Sequence, residues 1–130
     1  MKKLIEEIMK NEGFVGTVYK DTLGFDTIGY GTKLPLVKEE AALILEYRLK
    51  AKIKELETKE PFVNKLPLEK QEILAEMCYQ MGVNGVLKFK KMWAALKEFD
   101  YEAASVQMLD SRWAEQTPNR AMKLSQMMRG

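Results

Sequence analysis

Apolar side chains recur at three- and four-residue steps along most of the chain, and the stretch that breaks this rhythm lies near its beginning. Leu4, Ile5, Ile8 and Met9 predict a short amphipathic helix over about residues 3–11. The period then shortens. Thr17-Val18-Tyr19 and Thr27-Ile28-Gly29-Tyr30 read as two strands joined by a turn containing Asp21-Thr22-Leu23-Gly24. From Val37 the helical spacing returns through Ala41, Ile44, Leu45, Leu49, Ile53 and Leu56, a helix of roughly 20 residues and about 30 Å. Its other face carries Lys38, Glu39, Glu46, Arg48, Lys50, Lys54 and Glu57, a solvated surface, and Pro35 suits its start.

Pro61 and Pro67 interrupt the next segment, after which residues 68–81 form a more apolar helix with Ile73, Leu74, Met77 and Met81 on one side. Gly82 ends it, Asn84-Gly85 marks a turn, and Phe89, Met92, Trp93 and Leu96 begin another helix. Asp100 is the expected N-cap of a helix over 101–109. Thr117 is the expected N-cap of a last helix whose first residue, Pro118, has no N–H to lose.

The 130 residues make one domain, long enough for two small lobes with separate apolar clusters. With 46% hydrophobic and 31% charged residues the chain is globular. A net charge of +2 and the lack of any long Lys/Arg block argue against a nucleic-acid partner. No apolar run reaches the length of a membrane span, so no membrane insertion is expected. Acidic residues interrupt the N-terminus before a signal-peptide core develops, which predicts folding in a cytoplasm. Histidine is absent, which removes Ser-His and Cys-His nucleophiles and the commonest metal ligand. Any hydrolysis therefore falls to carboxylates, with no metal or cofactor expected. Cys78, the single cysteine, sits on a helical pattern and reads as a packed thiol. The nine methionines read mainly as core filling, with a Met-rich partner groove as the sharper alternative.

Glu12 is the first chemical candidate. It closes a helix, where the last carbonyls already carry partial negative charge, so a carboxylate there is either a proton donor in waiting or an exposed side chain that frays. Asp21 on the hairpin faces it, and the hydroxyl of Thr27 follows six residues later. Gly24 reads as a turn residue, whereas Gly29 and Gly31 leave two readings open, a turn or the close approach of a ligand or strand. Arg120 falls in the first turn of the last helix, where a cation opposes the dipole. Either an anion compensates it or it faces solvent.

Glu12-Gly13, Tyr19-Lys20-Asp21-Thr22, Gly24, Thr27-Ile28-Gly29 and Gly31, followed by Gln80-Met81-Gly82, Gly85, Ser111-Arg112-Trp113 and Gln116-Thr117-Pro118-Asn119-Arg120-Ala121, resemble the phage-type lysozymes of glycoside hydrolase family 24. The resemblance spans nearly the whole chain. It implies an α+β, lysozyme-like fold with a small β-hairpin lobe (about 12–34), a linking helix (about 36–58) and a mainly helical lobe (about 60–130 with 1–11), and a saccharide cleft between the lobes. It implies an endolysin, an N-acetylmuramidase that hydrolyses the β-1,4 bond between N-acetylmuramic acid and N-acetylglucosamine in peptidoglycan, with no cofactor. Glu12 takes the place of the general acid, Asp21 of the water-directing carboxylate and Thr27 of the water-holding hydroxyl, while Arg120 matches an Arg beside the acid. Gly31, Lys33, Tyr79, Gln80 and, more loosely, Gln107 match substrate-binding positions. The resemblance implies an inverting enzyme, and inversion needs room for water, which predicts carboxyl groups roughly 6.5–9.5 Å apart. The resemblance further implies a monomer that folds in the host cytoplasm, is released by a holin-type protein and acts on the wall in the periplasm.

This sequence departs from the family in three ways. The segment between Thr32 and the long helix is short, which predicts a sheet without its third strand. Thr32 stands where a His is usual, and the similarity stops at Gly130 without a closing segment. Two other functions compete with hydrolysis: a non-catalytic peptidoglycan-binding protein on the same fold, and a small helical DNA-binding module. Lytic transglycosylation needs no water-directing carboxylate, so Asp21 and Thr27 argue for hydrolysis.

Overall fold

In the computed structural model, which describes residues 1–130, the chain divides into two compact units, Met1–Ile44 and Leu45–Gly130. The first unit opens with α1 (Lys2–Glu12), whose Gly13 cap adopts φ 70° and donates its N–H to the Met9 carbonyl. Three antiparallel strands follow in the order β1 (Val15–Lys20), β2 (Asp26–Gly29) and β3 (Thr32–Lys33). The third strand is thus present, contrary to the expectation from the short segment. Gly29 and Gly31 both take positive φ (73° and 74°), so the chain reverses within Gly29–Gly31 and pairs Ile28 with Thr32 and Thr27 with Lys33. Two residues are enough to make a ladder when the turn is this tight.

Of the residues in this unit, Thr27 alone is fully buried. The expected apolar cluster of a small lobe is therefore missing: Leu4, Ile5, Ile8 and Met9 on α1 and Val18 on β1 all remain 36–56% exposed. Forty-four residues offer too little interior, and backbone pairing carries this unit instead.

The long helix is α2 (Lys38–Lys59), 22 residues and about 33 Å. It begins where the Glu40 carboxylate reaches back to accept the Val37 N–H at 2.9 Å, half of a capping box. The division between the units falls inside it. Within the second unit its Leu56 is buried, and a 3-10 turn (Pro61–Lys65) leads into α3 (Leu68–Met81), which matches the predicted helix end to end. Gly82, at φ 86°, stops it.

Asn84-Gly85 does not form an isolated turn. The stretch is a short helix, α4 (Val83–Leu87), because Val83 and Val86 both enter the core and tertiary packing overrides the local turn preference. Helices α5 (Lys90–Lys97), α6 (Tyr101–Leu109), α7 (Arg112–Gln116) and α8 (Pro118–Arg129) complete the unit. Asp100 caps α6, its carboxylate accepting the Ala103 N–H at 3.0 Å. Thr117 does not cap α8 with its side chain: the hydroxyl donates backwards to the Trp113 carbonyl at 2.9 Å, tying α8 to α7.

One continuous apolar cluster fills this unit, with Ile73, Leu74, Met77, Met92, Leu96, Met108 and Met128 at its centre. Met77, Met92, Met108 and Met128 are wholly enclosed, as core-filling side chains should be. Lys70 is buried as well. Its ammonium donates to the Met127 carbonyl at 3.0 Å, in the last turn of α8 where a cation is favoured, and lies 4.9 Å from the centre of the Tyr101 ring. The chain is α+β, mainly helical with one small antiparallel sheet. No helix is long and apolar enough to cross a membrane.

Cys78 is fully buried on α3, and burial pushes its thiol up to about 11. Iodoacetamide at pH 8 is therefore expected to leave the native protein unlabelled while labelling the urea-unfolded chain, as read by intact mass. Stoichiometric labelling of the folded protein would show that the thiol is not packed.

Candidate active site

Glu12, Asp21, Thr27, Gly31 and Lys33 all belong to the first unit. The hairpin turn that carries Asp21 is built around its own side chain. Oδ1 accepts the N–H groups of Leu23 at 2.9 Å and Phe25 at 2.8 Å, while the Asp21 N–H donates to the Phe25 carbonyl at 3.0 Å. Gly24 supplies the φ of 86° that the turn requires. The other carboxylate oxygen, Oδ2, lies 2.5 Å from the Lys33 ammonium on β3. The Lys33 hydrogen bond, followed by the backbone N–H groups, holds the Asp21 carboxyl below the usual aspartate value of 3.8 despite some desolvation. Its side chain is 13% exposed against 55% for Lys33.

Thr27 is buried next to this turn, and its hydroxyl donates to the Phe25 carbonyl at 2.9 Å. Phe25 O thus accepts from both Asp21 and Thr27, so the threonine braces the same turn that positions the aspartate.

Glu12, the last residue of α1, rests its carboxyl on Gly31. A Cβ at position 31 would come 2.6 Å from Oε2 and 2.7 Å from the carboxyl carbon, closer than atoms can approach. Of the readings left open for Gly31 the turn holds, and the group that approaches it closely is the Glu12 side chain rather than a strand. Lys33 is raised first by its hydrogen bond to Asp21, and its ammonium also feels the charge of Glu12. One cation therefore stands in the field of both carboxylates.

The chain matches the family model described as phage lysozyme over residues 9–128. The chain belongs to the phage lysozyme family. As a member it is a glycoside hydrolase of the muramidase type, and its substrate is peptidoglycan. It is 29% identical to "Probable T4-type lysozyme 1" of Dictyostelium discoideum, over 95% of this chain and 92% of that protein. "Probable T4-type lysozyme 2" of the same organism is 28% identical at the same coverage. The "Pre-baseplate central spike protein Gp5" of Enterobacteria phage T4 is 28% identical over 96% of this chain, but over only 27% of its own length.

The remaining sequence-predicted residues lie in the second unit. Tyr79 is half exposed and lines a groove of about 530 Å³ with Leu45, Leu49, Ile53, Glu76 and Arg120. Arg120 Nε donates to Glu76 Oε2 at 2.9 Å, so the anion that the first turn of α8 requires comes from α3. Glu76 escaped the sequence reading, although it sits three residues before Tyr79 on one helix face. Gln80 is engaged at both ends of its amide: Oε1 accepts the Trp113 indole N–H at 2.8 Å, and Nε2 approaches the Thr117 hydroxyl at 3.4 Å. It braces α3 against α7. Gln107 lines a separate hollow with Lys88, Lys91 and Asp110.

Proposed function

We propose that this enzyme hydrolyses the β-1,4 bond between N-acetylmuramic acid and N-acetylglucosamine with inversion at the anomeric carbon. Glu12 is the general acid, Asp21 the carboxylate that directs water and Thr27 the hydroxyl that holds it. The observation that carries the reading is the unequal treatment of the two acids. Asp21 is kept ionised by two N–H groups and an ammonium, whereas Glu12 has no hydrogen-bond partner within its unit and rests on a bare glycine. One is equipped to accept a proton from water and the other is free to deliver one.

The Thr27 hydroxyl spends its proton on the Phe25 carbonyl, so towards a water it can only accept. A water that gives one proton to Asp21 and the other to Thr27 Oγ1 keeps a lone pair for the anomeric carbon. Its proton passes to Asp21 as the new C–O bond forms, and the Glu12 proton goes to the departing sugar oxygen. Carboxyl groups set roughly 6.5–9.5 Å apart suit that arrangement.

On this reading Arg120 positions Glu12, with Glu76 fixing the direction of its guanidinium. Tyr79 offers a ring to a sugar face, and Gln80, Gln107 and the Gly31 backbone complete the saccharide contacts. The enzyme folds as a monomer in the host cytoplasm and reaches the periplasm through a holin-type protein. A purely binding role is not favoured, since the family match supports a lysozyme.

Proton NMR of products from purified peptidoglycan, taken before mutarotation, tests the chemistry. The first-formed reducing end is expected in the α configuration. A β end would overturn inversion, and a 1,6-anhydro end would overturn hydrolysis.

A further inference from the structure

Lys33 fits a sugar-binding position, but the structure gives its ammonium a different occupation. The Asp21 carboxylate has four lone-pair sites. Leu23 and Phe25 fill both on Oδ1, and Lys33 takes one on Oδ2. A single acceptor site is left, and its direction is fixed, because rotating the carboxylate would break three charge-assisted bonds at once. Lys33 is held in turn by the Gly29–Gly31 reversal, which places it opposite Thr27 in the β2–β3 ladder. The backbone that brings Thr27 to the water thus also brings the ammonium to Asp21.

We propose that Lys33 is a positioning residue for the hydrolytic reaction: it clamps Asp21 Oδ2 so that the one remaining lone pair faces the attacking water. The proposal rests on the reading of Asp21 as the water-directing carboxylate. The charged and titratable groups around the clamp are Glu12 at the end of α1, Tyr19 on β1, and the Lys20–Asp26 pair, whose 2.6 Å bond keeps it occupied with itself. None of these replaces the ammonium on Oδ2. A carboxylate whose folded value is depressed keeps its bond above the ordinary aspartate value and loses it as pH falls through the lower, folded value.

The test compares wild type with Lys33→Met, Lys33→Arg and Asp21→Asn. It measures kcat and KM on soluble peptidoglycan fragments at pH 7, and the carbon-13 titration of the Asp21 carboxyl. Lys33→Met should lower kcat about tenfold, the order expected when a reacting group loses its orientation without leaving the site, with KM unchanged. The Asp21 titration midpoint should rise, and Lys33→Arg should restore both. A several-fold rise in KM with kcat and the midpoint unmoved would make Lys33 a sugar ligand and overturn the clamp. A raised midpoint with wild-type kcat would overturn it too. Failure of the underlying reading looks different, because Asp21→Asn would then turn over at the wild-type rate. Lys33 is exposed, and the midpoint is read from the folded protein, so a folding defect cannot imitate these outcomes.

Discussion

Glu12→Gln is expected to reduce turnover of peptidoglycan by about 10²–10⁴-fold, the range that a positioned general acid supplies. The substitution keeps the size and shape of the side chain and removes only the proton to be donated. Asp21 cannot take over. Two N–H groups and the Lys33 ammonium hold that carboxyl in its ionised form, so it has no proton to donate in place of Glu12. Folding should be unaffected or slightly improved, because Glu12 is exposed at the C-terminal end of α1 and a negative charge there opposes the helix dipole. The measurement is the release of reducing ends, beside pelleting with insoluble wall and a thermal melt. Loss of release with wall retention and Tm preserved supports the assignment. Release at the wild-type rate would remove Glu12 from the chemistry.

The two carboxylates were legible in the sequence because the residues around them obey local rules. An amphipathic helix runs out at Glu12, and an Asp with a Gly three residues later makes a turn about its own side chain, a preference visible without any tertiary information. The α3 boundaries were legible for the same reason, with Pro67 before the helix and Gly82 at positive φ after it. What the pattern concealed depends on contacts between distant segments. Lys33 meets Asp21 only through the β2–β3 register, and a two-residue strand is too short to show periodicity. Glu76 meets Arg120 across 44 residues. Asn84-Gly85 resembled a turn until Val83 and Val86 were needed by the core.

The weakness of the first unit was hidden for a related reason. Helical spacing in α1 announces an apolar face but not what covers it, and within its unit that face stays open. Thr27 is then the single enclosed residue of a unit that carries both carboxylates. Its hydroxyl, bonded to Phe25 O, does structural service for the turn as well as the chemical service proposed for it. A site built on backbone pairing and one buried threonine depends on turns more than on packing, so its glycines matter more than its apolar residues.

Gly29 and Gly31 turn that dependence into a paired experiment. They lie in one reversal at almost the same angle, φ 73° and 74°, so an alanine at either carries the same backbone penalty, about 1–2 kcal/mol. Their surroundings differ. Nothing lies within 4 Å of a Cβ at position 29, whereas at position 31 the Glu12 carboxyl occupies the space at 2.6 Å. The obstacle is the end of a flexible, exposed side chain, so it swings aside and adds little to the cost in stability. Swinging aside moves the proposed proton donor by an ångström or more, and a displacement of that size costs about 10²-fold in rate. Gly31→Ala is therefore expected to lose about 10²-fold in turnover while Gly29→Ala keeps activity within a few-fold, the two variants melting at similar temperatures. Equal losses in the two would assign the effect to strain in the turn, and wild-type activity in Gly31→Ala would show that the contact between Gly31 and Glu12 has no part in catalysis.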